Sequence, residues 1–345
     1  MSDRTVLVTG GAGFIGSALV DALVEEGVNR IRVLDNDESG VFGIERRQTD
    51  VTIQAVLGDL RDDQRVRTAV EGVDEIFHVA AIKQVPVSEY NPYEPIMTNL
   101  TGTRNLLRAA GESGVERLTA VSTDKASSPV SVMGATKLLM ERLVIAANGY
   151  WTPRDTRFNC VRFGNVLGAT DSVVPIFLEQ TENGGPLTVT DPEMTRFVMT
   201  PEQAVAFVTE THERATRGEV IVPKMPAFEV GRLAEVIRDR YAPACGYEPS
   251  DIEIEETGPR PGERHHEKLL SSDECPRVHE RSESFTILPE IAVGDEERDY
   301  RPQCSLDGEY TSADAEILSD DELWDLLTER FDRTQRPRVA ADGGN

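Results

Sequence analysis

Thr123, Asp124 and Lys125 stand side by side in a chain of 345 residues, and Met133 and Lys137 follow four positions apart. A carboxyl beside an amine is a minimal set for moving two protons, one group to give and one to take. A lysine works as a base only when its ammonium is destabilised, and a second lysine nearby does that by like-charge repulsion. The i,i+4 spacing sets Met133 and Lys137 on one helix face. Lysine is also scarce. Of 36 Lys+Arg only Lys83, Lys125, Lys137, Lys224 and Lys268 are lysines, against 61 Asp+Glu and a net charge of −25. Where a surface does without lysine, a surviving lysine is a candidate for work. Such acidity repels phosphate and excludes non-specific binding of nucleic acid. Acidity with little lysine also resembles proteins of salt-loving organisms, in which salt screens carboxylate repulsion.

Elements must hold these residues in place. Thr5–Thr9, Arg30–Leu34, Thr52–Leu57, Asp74–Ala80, Arg117–Ser122 and Phe158–Phe163 read as short apolar strands. Helical stretches alternate with them over Phe14–Glu26, Asp62–Val70, Pro95–Gly111 and Ser131–Asn148. That alternation predicts βαβ units and a doubly wound parallel sheet of the Rossmann type. Asp124 and Lys125 then follow the carboxyl end of the fifth strand, where such sheets place their chemistry.

Gly10-Gly-Ala-Gly-Phe-Ile-Gly16 follows the first strand directly and opens a helix. The glycines permit a tight turn and let backbone N–H groups approach a pyrophosphate at the helix N-terminus. Asp35 closes the second strand, where its carboxylate can accept from adenosine ribose hydroxyls and repel a 2′-phosphate, which favours NAD over NADP. Asp59, after the third strand, could accept from the adenine amino group or cap the next helix.

After about Gly168 the texture changes to frequent Pro, Gly and Thr with shorter elements, among them helices at Pro201–Ala215 and Gly231–Tyr241. The expected organisation is a cofactor-binding domain over 1–168, with later segments returning to it, a smaller substrate-binding domain over 169–330, and a disordered tail at 331–345. No apolar run approaches the ~20 residues of a membrane span. With no secretory signal at the start, a cytoplasmic protein is expected. Cys160, Cys245, Cys275 and Cys304 lie far apart in the chain and indicate neither zinc nor a disulfide framework. His265-His266 is read as two helix neighbours pointing apart with no Asp/Glu/His cluster around them, so no metal is expected.

Thr9-Gly-Gly-Ala-Gly-Phe-Ile-Gly16 resembles the glycine pattern of extended short-chain dehydrogenase/reductases. The match narrows with His78-Val-Ala-Ala-Ile-Lys-Gln-Val-Pro86, Thr98-Asn-Leu-Thr-Gly-Thr103, Ser122-Thr-Asp-Lys-Ala-Ser-Ser-Pro129, Met133-Gly-Ala-Thr-Lys137, Arg162-Phe-Gly-Asn165 and Arg260-Pro-Gly-Glu263. Together these resemble the UDP-N-acetylglucosamine 4,6-dehydratases, over about Thr5 to Leu270. One departure stands out: the superfamily's Tyr-x-x-x-Lys reads Met133 and Lys137 here. Some dehydratases of this group resemble the chain in carrying methionine there, so the base for the C4 hydroxyl must be another group. Asp124, Thr123 with a water chain, or Lys125 are the candidates.

The resemblance implies C4 oxidation by bound NAD, loss of water across C5 and C6, and return of the hydride to C6. Lys125 would take the C5 proton and Asp124 would protonate the C6 hydroxyl. The implied cofactor set is Gly10, Gly13, Phe14, Ile15, Gly16, Asp35, Asp59, Leu60, Ala80 and Ala81, with Lys137 on the nicotinamide ribose. Lys83, Asn165, Arg196, Arg260 and Glu263 would meet the UDP-sugar, the arginines on its diphosphate. A homo-oligomer is implied, paired through the helices at 95–111 and 131–148. Two other functions fit the same residues. A UDP-sugar 4-epimerase needs no acid–base pair for C5 and C6, so Asp124-Lys125 speaks against it. A non-catalytic NAD-binding regulator would account for Met133 but not for the retained Lys125 and Lys137.

Overall fold

A computed structural model describes residues 4–47, 50–151, 156–169, 172–259, 262–291, 303–306 and 308–331. Arg260 and the tail beyond 331 lie outside the described residues. The chain divides into two compact units, one of residues 1–164, 201–224 and 268–310, the other of 165–200, 225–267 and 311–345.

The first unit is built on a nine-stranded sheet. Its strands are β1 (Thr5–Thr9), β2 (Arg30–Asp35), β3 (Thr52–Leu57), β4 (Glu75–His78), β5 (Arg117–Thr123), β6 (Arg157–Phe163), β7 (Val220–Pro223), β8 (Val278–Glu280) and β9 (Ser284–Ile287). The order is β8-β9-β7-β6-β5-β4-β1-β2-β3. The seven strands from β3 to β7 run parallel, and β9 and β8 add an antiparallel edge. Central strands are apolar on both faces, as helices on both sides require: Val6, Leu7, Val8, Ile76, Leu118, Ala120, Phe158 and Val161 are all fully buried. The order reverses beside β1, so the glycine loop sits at the switch point of the sheet.

The expected helix over 95–111 is a continuous helical run with a π-helical stretch, Ile96–Gly102, between Tyr93–Pro95 and Thr103–Ser113. Such a wide turn re-aims one side chain. Here that residue is Asn99, whose amide bonds both N (2.8 Å) and O (3.0 Å) of Ile82 and so fixes the loop after β4. Further helices form at Glu38–Glu45, Val85–Tyr90, Val173–Glu182 and Asp320–Arg330.

The second unit holds a three-stranded sheet of Ala227–Glu229, Thr195–Met199 and Asn165–Val166, and a pair of Ile254–Glu256 with Leu187–Val189. Phe177, Leu187, Val198, Leu233, Ile237 and Leu323 form its core. No helix of the described residues is long and apolar enough to cross a membrane.

One charged group lies at the centre of the first unit. Arg162, on β6, is 1% exposed and spends all five N–H donors on protein acceptors. Nε and Nη2 reach Glu141 at 3.0 and 2.6 Å, Nη1 and Nη2 reach Glu274 at 2.9 and 2.7 Å, and Nη1 also reaches the Leu269 carbonyl at 2.9 Å. Burial would raise the Glu274 carboxyl, but Arg162 and the Ser271 donors outweigh it and the net direction is down. A carboxyl lowered by folding adds stability above the ordinary carboxylate range, and that share is lost as pH falls. Arg162→Met leaves two buried carboxylates without their cation. We expect it to cost about 3–5 kcal/mol, read as a lower urea midpoint; a loss below about 1 kcal/mol would show that the triad is not holding the unit together.

Candidate active site

The glycine loop is shaped by close approach. Gly10 sits at φ +70°, and a Cβ there would meet the Ala80 backbone at 2.6 Å. A Cβ on Gly16 would stand 2.1 Å from the Gly10 carbonyl, so the Phe14–Glu25 helix starts hard against the loop. Gly13 caps that helix with no side chain, which leaves its N-terminal dipole open to an anion. Asp35 is half-buried at the end of β2, accepts from Ala12 N at 2.9 Å and Asp37 N at 3.0 Å, and so braces the loop it is expected to serve. Phe14 and Ile15 open the helix.

Asp59 does not cap the following helix; Asp62 does, by accepting from Arg65 N. Asp59 instead accepts from the backbone and side chain of Arg61, at 2.8 Å each, and Arg61 holds its carboxyl below the ordinary value. Leu60 is buried, with its carbonyl bonded to Asn105 at 3.1 Å. Ala80 and Ala81 follow β4 beside Gly10. Behind them His78 ties Thr9 (2.7 Å) to Thr103 (2.8 Å) and is pushed down to about 3 by burial, then by Lys137, so it stays neutral. His78 and Asn99 are positioning groups that pattern alone did not reveal.

At the end of β5 the chain makes a tight turn over Asp124–Ala126. Thr123 Oγ1 donates to Asp124 Oδ1 at 2.7 Å, and Lys125 Nζ donates to both Asp124 oxygens at 3.1 Å. The Asp124 side chain is 3% exposed and that of Lys125 34%. The Val132–Tyr150 helix packs on this turn at Gly134, where a Cβ would stand 2.3 Å from the Lys125 carbonyl. Met133 is buried at the start of that helix. Lys137, one turn on, donates to the Val121 carbonyl at 2.7 Å and touches Met140 Sδ at 3.2 Å; burial pulls its ammonium down to about 8. One turn and one helix end thus bring together Thr123, Asp124, Lys125, Met133 and Lys137. Lys83 is exposed on the loop that Asn99 fixes and has no partner among the described residues.

The second unit gathers three further candidates around Glu267, which the sequence reading did not single out. Asn165 donates to both Glu267 oxygens at 2.9 and 2.7 Å, and Phe197 N donates at 3.0 Å. Arg196 lies 3.7 Å from Glu267 and pairs with Glu263 at 3.0 Å. Its guanidinium is therefore already balanced, and an incoming diphosphate would have to displace Glu263. The expectation for His265-His266 needs correction. The pair is not helical; the chain bends at His265, His266 forms an isolated bridge with Thr195, and the two rings meet edge-on with Nδ1 and Nε2 at 2.9 Å. A turn brings Asp191 and Glu193 to His265, with ligand atoms within 4.8 Å of one another. Such a set could hold a divalent cation, although exposed carboxylates also gather this way without one.

Residues 6–289 match the family model described as polysaccharide biosynthesis protein. An uncharacterized membrane protein of Methanocaldococcus jannaschii is 42% identical over 95% of this chain and 96% of its own. A UDP-N-acetylglucosamine 4,6-dehydratase (inverting) of Campylobacter jejuni is 36% identical over 95% and 99%. Among solved structures, Pen from Bacillus thuringiensis superposes with a TM-score of 0.87 at 35% identity, over 95% of this chain and 98% of its own. The UDP-glucose 4-epimerase of Thermus thermophilus in complex with NAD gives 0.62 at 26% identity, over 75% and 88%. With the glycine cradle, the Thr-Asp-Lys turn and these likenesses together, the chain belongs to the polysaccharide biosynthesis protein family, the group that includes the UDP-N-acetylglucosamine 4,6-dehydratases.

Proposed function

We propose that this protein is an NAD-dependent UDP-N-acetylglucosamine 4,6-dehydratase. The Asp124–Lys125 pair carries the reading, because two groups able to exchange a proton at 3.1 Å are what a loss of water across C5 and C6 requires. The glycine cradle and Asp35 fit NAD, with Lys137 at its nicotinamide ribose. NAD, when bound, supplies a reversible store for the hydride that C4 gives up and C6 regains. The protein's part is proton traffic. Lys125, one-third exposed, takes the proton from C5, and Asp124 protonates the departing C6 hydroxyl. The observed ion pair and the working acid and base contain the same number of protons, one shared across that short contact. Lys83, Asn165, Arg196, Arg260 and Glu263 are assigned to the UDP-sugar. Structural likeness to a UDP-glucose 4-epimerase supports a second reading, in which hydride returns to C4, but it leaves Lys125 without a task. Val87, Tyr90, Tyr93, Ile96 and Leu139 are exposed on helices that pack together, and we assign this apolar face to a homo-oligomer contact.

Incubation with UDP-N-acetylglucosamine should give a product lighter by one water in the mass spectrum. Conversion to a product of unchanged mass would replace the dehydratase with the epimerase. Lys125→Met should stop deuterium from heavy water entering C5; exchange at the wild-type rate would remove Lys125 from the base role. Asp35→Asn should narrow the preference for NAD over NADP by relieving repulsion of the 2′-phosphate. If the wild type already binds both equally in a titration, Asp35 does not read the ribose.

A further inference from the structure

We propose that Cys275 and Cys304 form a reversible disulfide that clasps the 303–306 stretch onto the edge of the nine-stranded sheet. The four cysteines stand far apart in the chain, yet the fold brings these two together. Cys275 opens a short turn, Cys275–Arg277, that leads directly into β8. That turn is anchored. Cys275 N donates to the Ser271 carbonyl at 3.2 Å and Arg277 N to the Glu274 carbonyl at 2.8 Å, and the Glu274 carboxylate is itself committed to Arg162. Gln303, just before Cys304, bridges to His279, and its carbonyl accepts from Glu280 N at 2.8 Å. Ser305, just after it, donates to Glu280 Oε2 from N at 2.9 Å and from Oγ at 2.6 Å, while Lys224 holds the other Glu280 oxygen at 2.7 Å. Cys304 is thus pinned between two residues bonded to the strand that Cys275 leads into. The Cys275 thiol donates to the Gly308 carbonyl and is hydrogen-bonded to the Cys304 sulfur. Both thiols are half-buried, so a small oxidant can reach them.

The place of this pair gives the bond a purpose. β8 is the last strand of the sheet, and the free side of an edge strand is where a strand of another chain can add. The 303–306 stretch occupies that side at His279 and Glu280. The oxidant is a low-molecular-weight disulfide, and the step is two thiol exchanges. Cys304, as its thiolate, attacks one sulfur of the small disulfide, forms a mixed disulfide and expels one small thiolate, which takes up the proton that Cys304 gave away. Cys275 then loses its proton, attacks the Cys304 sulfur and expels the second small thiolate, which is protonated in turn. Two protein thiols and one small disulfide become one protein disulfide and two small thiols. Burial, then Cys304, push the Cys275 thiol up to about 11, so it seldom starts the exchange near neutral pH and serves as the resolving sulfur.

Treating the folded protein with oxidised glutathione should remove two hydrogen atoms from its mass, and a peptide map should place the bond between Cys275 and Cys304. Dithiothreitol should restore the original mass. In the linked protein the Glu280 amide, which faces the Gln303 carbonyl, should exchange with heavy water at least about tenfold more slowly than in the reduced protein, because the bond removes conformations that the opened chain would gain. Cys304→Ser should form no bond and exchange at Glu280 like the reduced wild type, whereas Cys245→Ser should link as the wild type does. An unchanged mass, a glutathione adduct that persists at either thiol, or a bond that uses Cys160 or Cys245 overturns the pair. A mass that dithiothreitol cannot restore overturns its reversibility. Equal exchange at Glu280 in the linked and reduced proteins overturns the clasp. None of these measurements involves a sugar nucleotide, so their outcome is independent of the reaction proposed above.

Discussion

A guanidinium sealed from water dictates much of this architecture. Arg162 cannot be left unpaired, because a buried charge without partners is far costlier than any single contact around it is favourable. Its five donors are met by three acceptors from two segments: Glu141 in the Val132–Tyr150 helix, and Glu274 and the Leu269 carbonyl in the returning segment. All three must arrive together. Glu141 lies one turn beyond Lys137, so the pairing also sets the rotation of that helix about its axis. That rotation turns Lys137 toward the Val121 carbonyl and Gly134 onto the Asp124–Lys125 turn.

The same rule of paired charge runs through the proposed site. In a chain with 61 Asp+Glu, a cation finds a carboxylate almost wherever it lies. Lys125 holds Asp124, and Arg196 holds Glu263. Binding of an anionic substrate is then an exchange of partners rather than the filling of an open cationic pocket. Two lysines stand outside the rule: Lys137, buried on the Val121 carbonyl, and Lys83, exposed on a loop made rigid by Asn99.

Local signals in the sequence made the parallel sheet, the glycine loop and the Thr-Asp-Lys turn legible. Each is a contiguous run whose spacing already contains its geometry. Contacts across long separations were not legible. Arg162 and Glu274 lie 112 residues apart, and nothing in either neighbourhood names the other. Asn99 sat within a recognised motif, yet its aim at Ile82 depends on a widened helical turn that periodicity reads as ordinary helix. Asp191 and Glu193 lie more than 70 residues before His265 and reach it only through the fold, so nothing near the histidine pair names them. Cys275 and Cys304 are distant in sequence, but Cys304 follows burial among the causes that push the Cys275 thiol up to about 11, so the two are neighbours in space. Asp59 and Asp62 both precede the Asp63–Val70 helix, and only the folded chain shows that Asp62 is its cap.

The chain leaves the first unit after residue 164 and re-enters it twice, at 201 and at 268. During synthesis this ordering has a kinetic consequence. When β6 has emerged from the ribosome, the parallel sheet still ends in an open edge, because β7, β9 and β8 are supplied only by residues 220–287. At about 5–20 residues per second, that edge waits on the order of ten seconds, with Arg162 behind it paired to Glu141 alone. A nascent chain therefore carries an exposed strand edge and a half-satisfied guanidinium until Glu274 is made. Neither unit can be cut out as a continuous piece, and a truncation anywhere before the last sheet strand would free a half-built protein prone to edge-to-edge association.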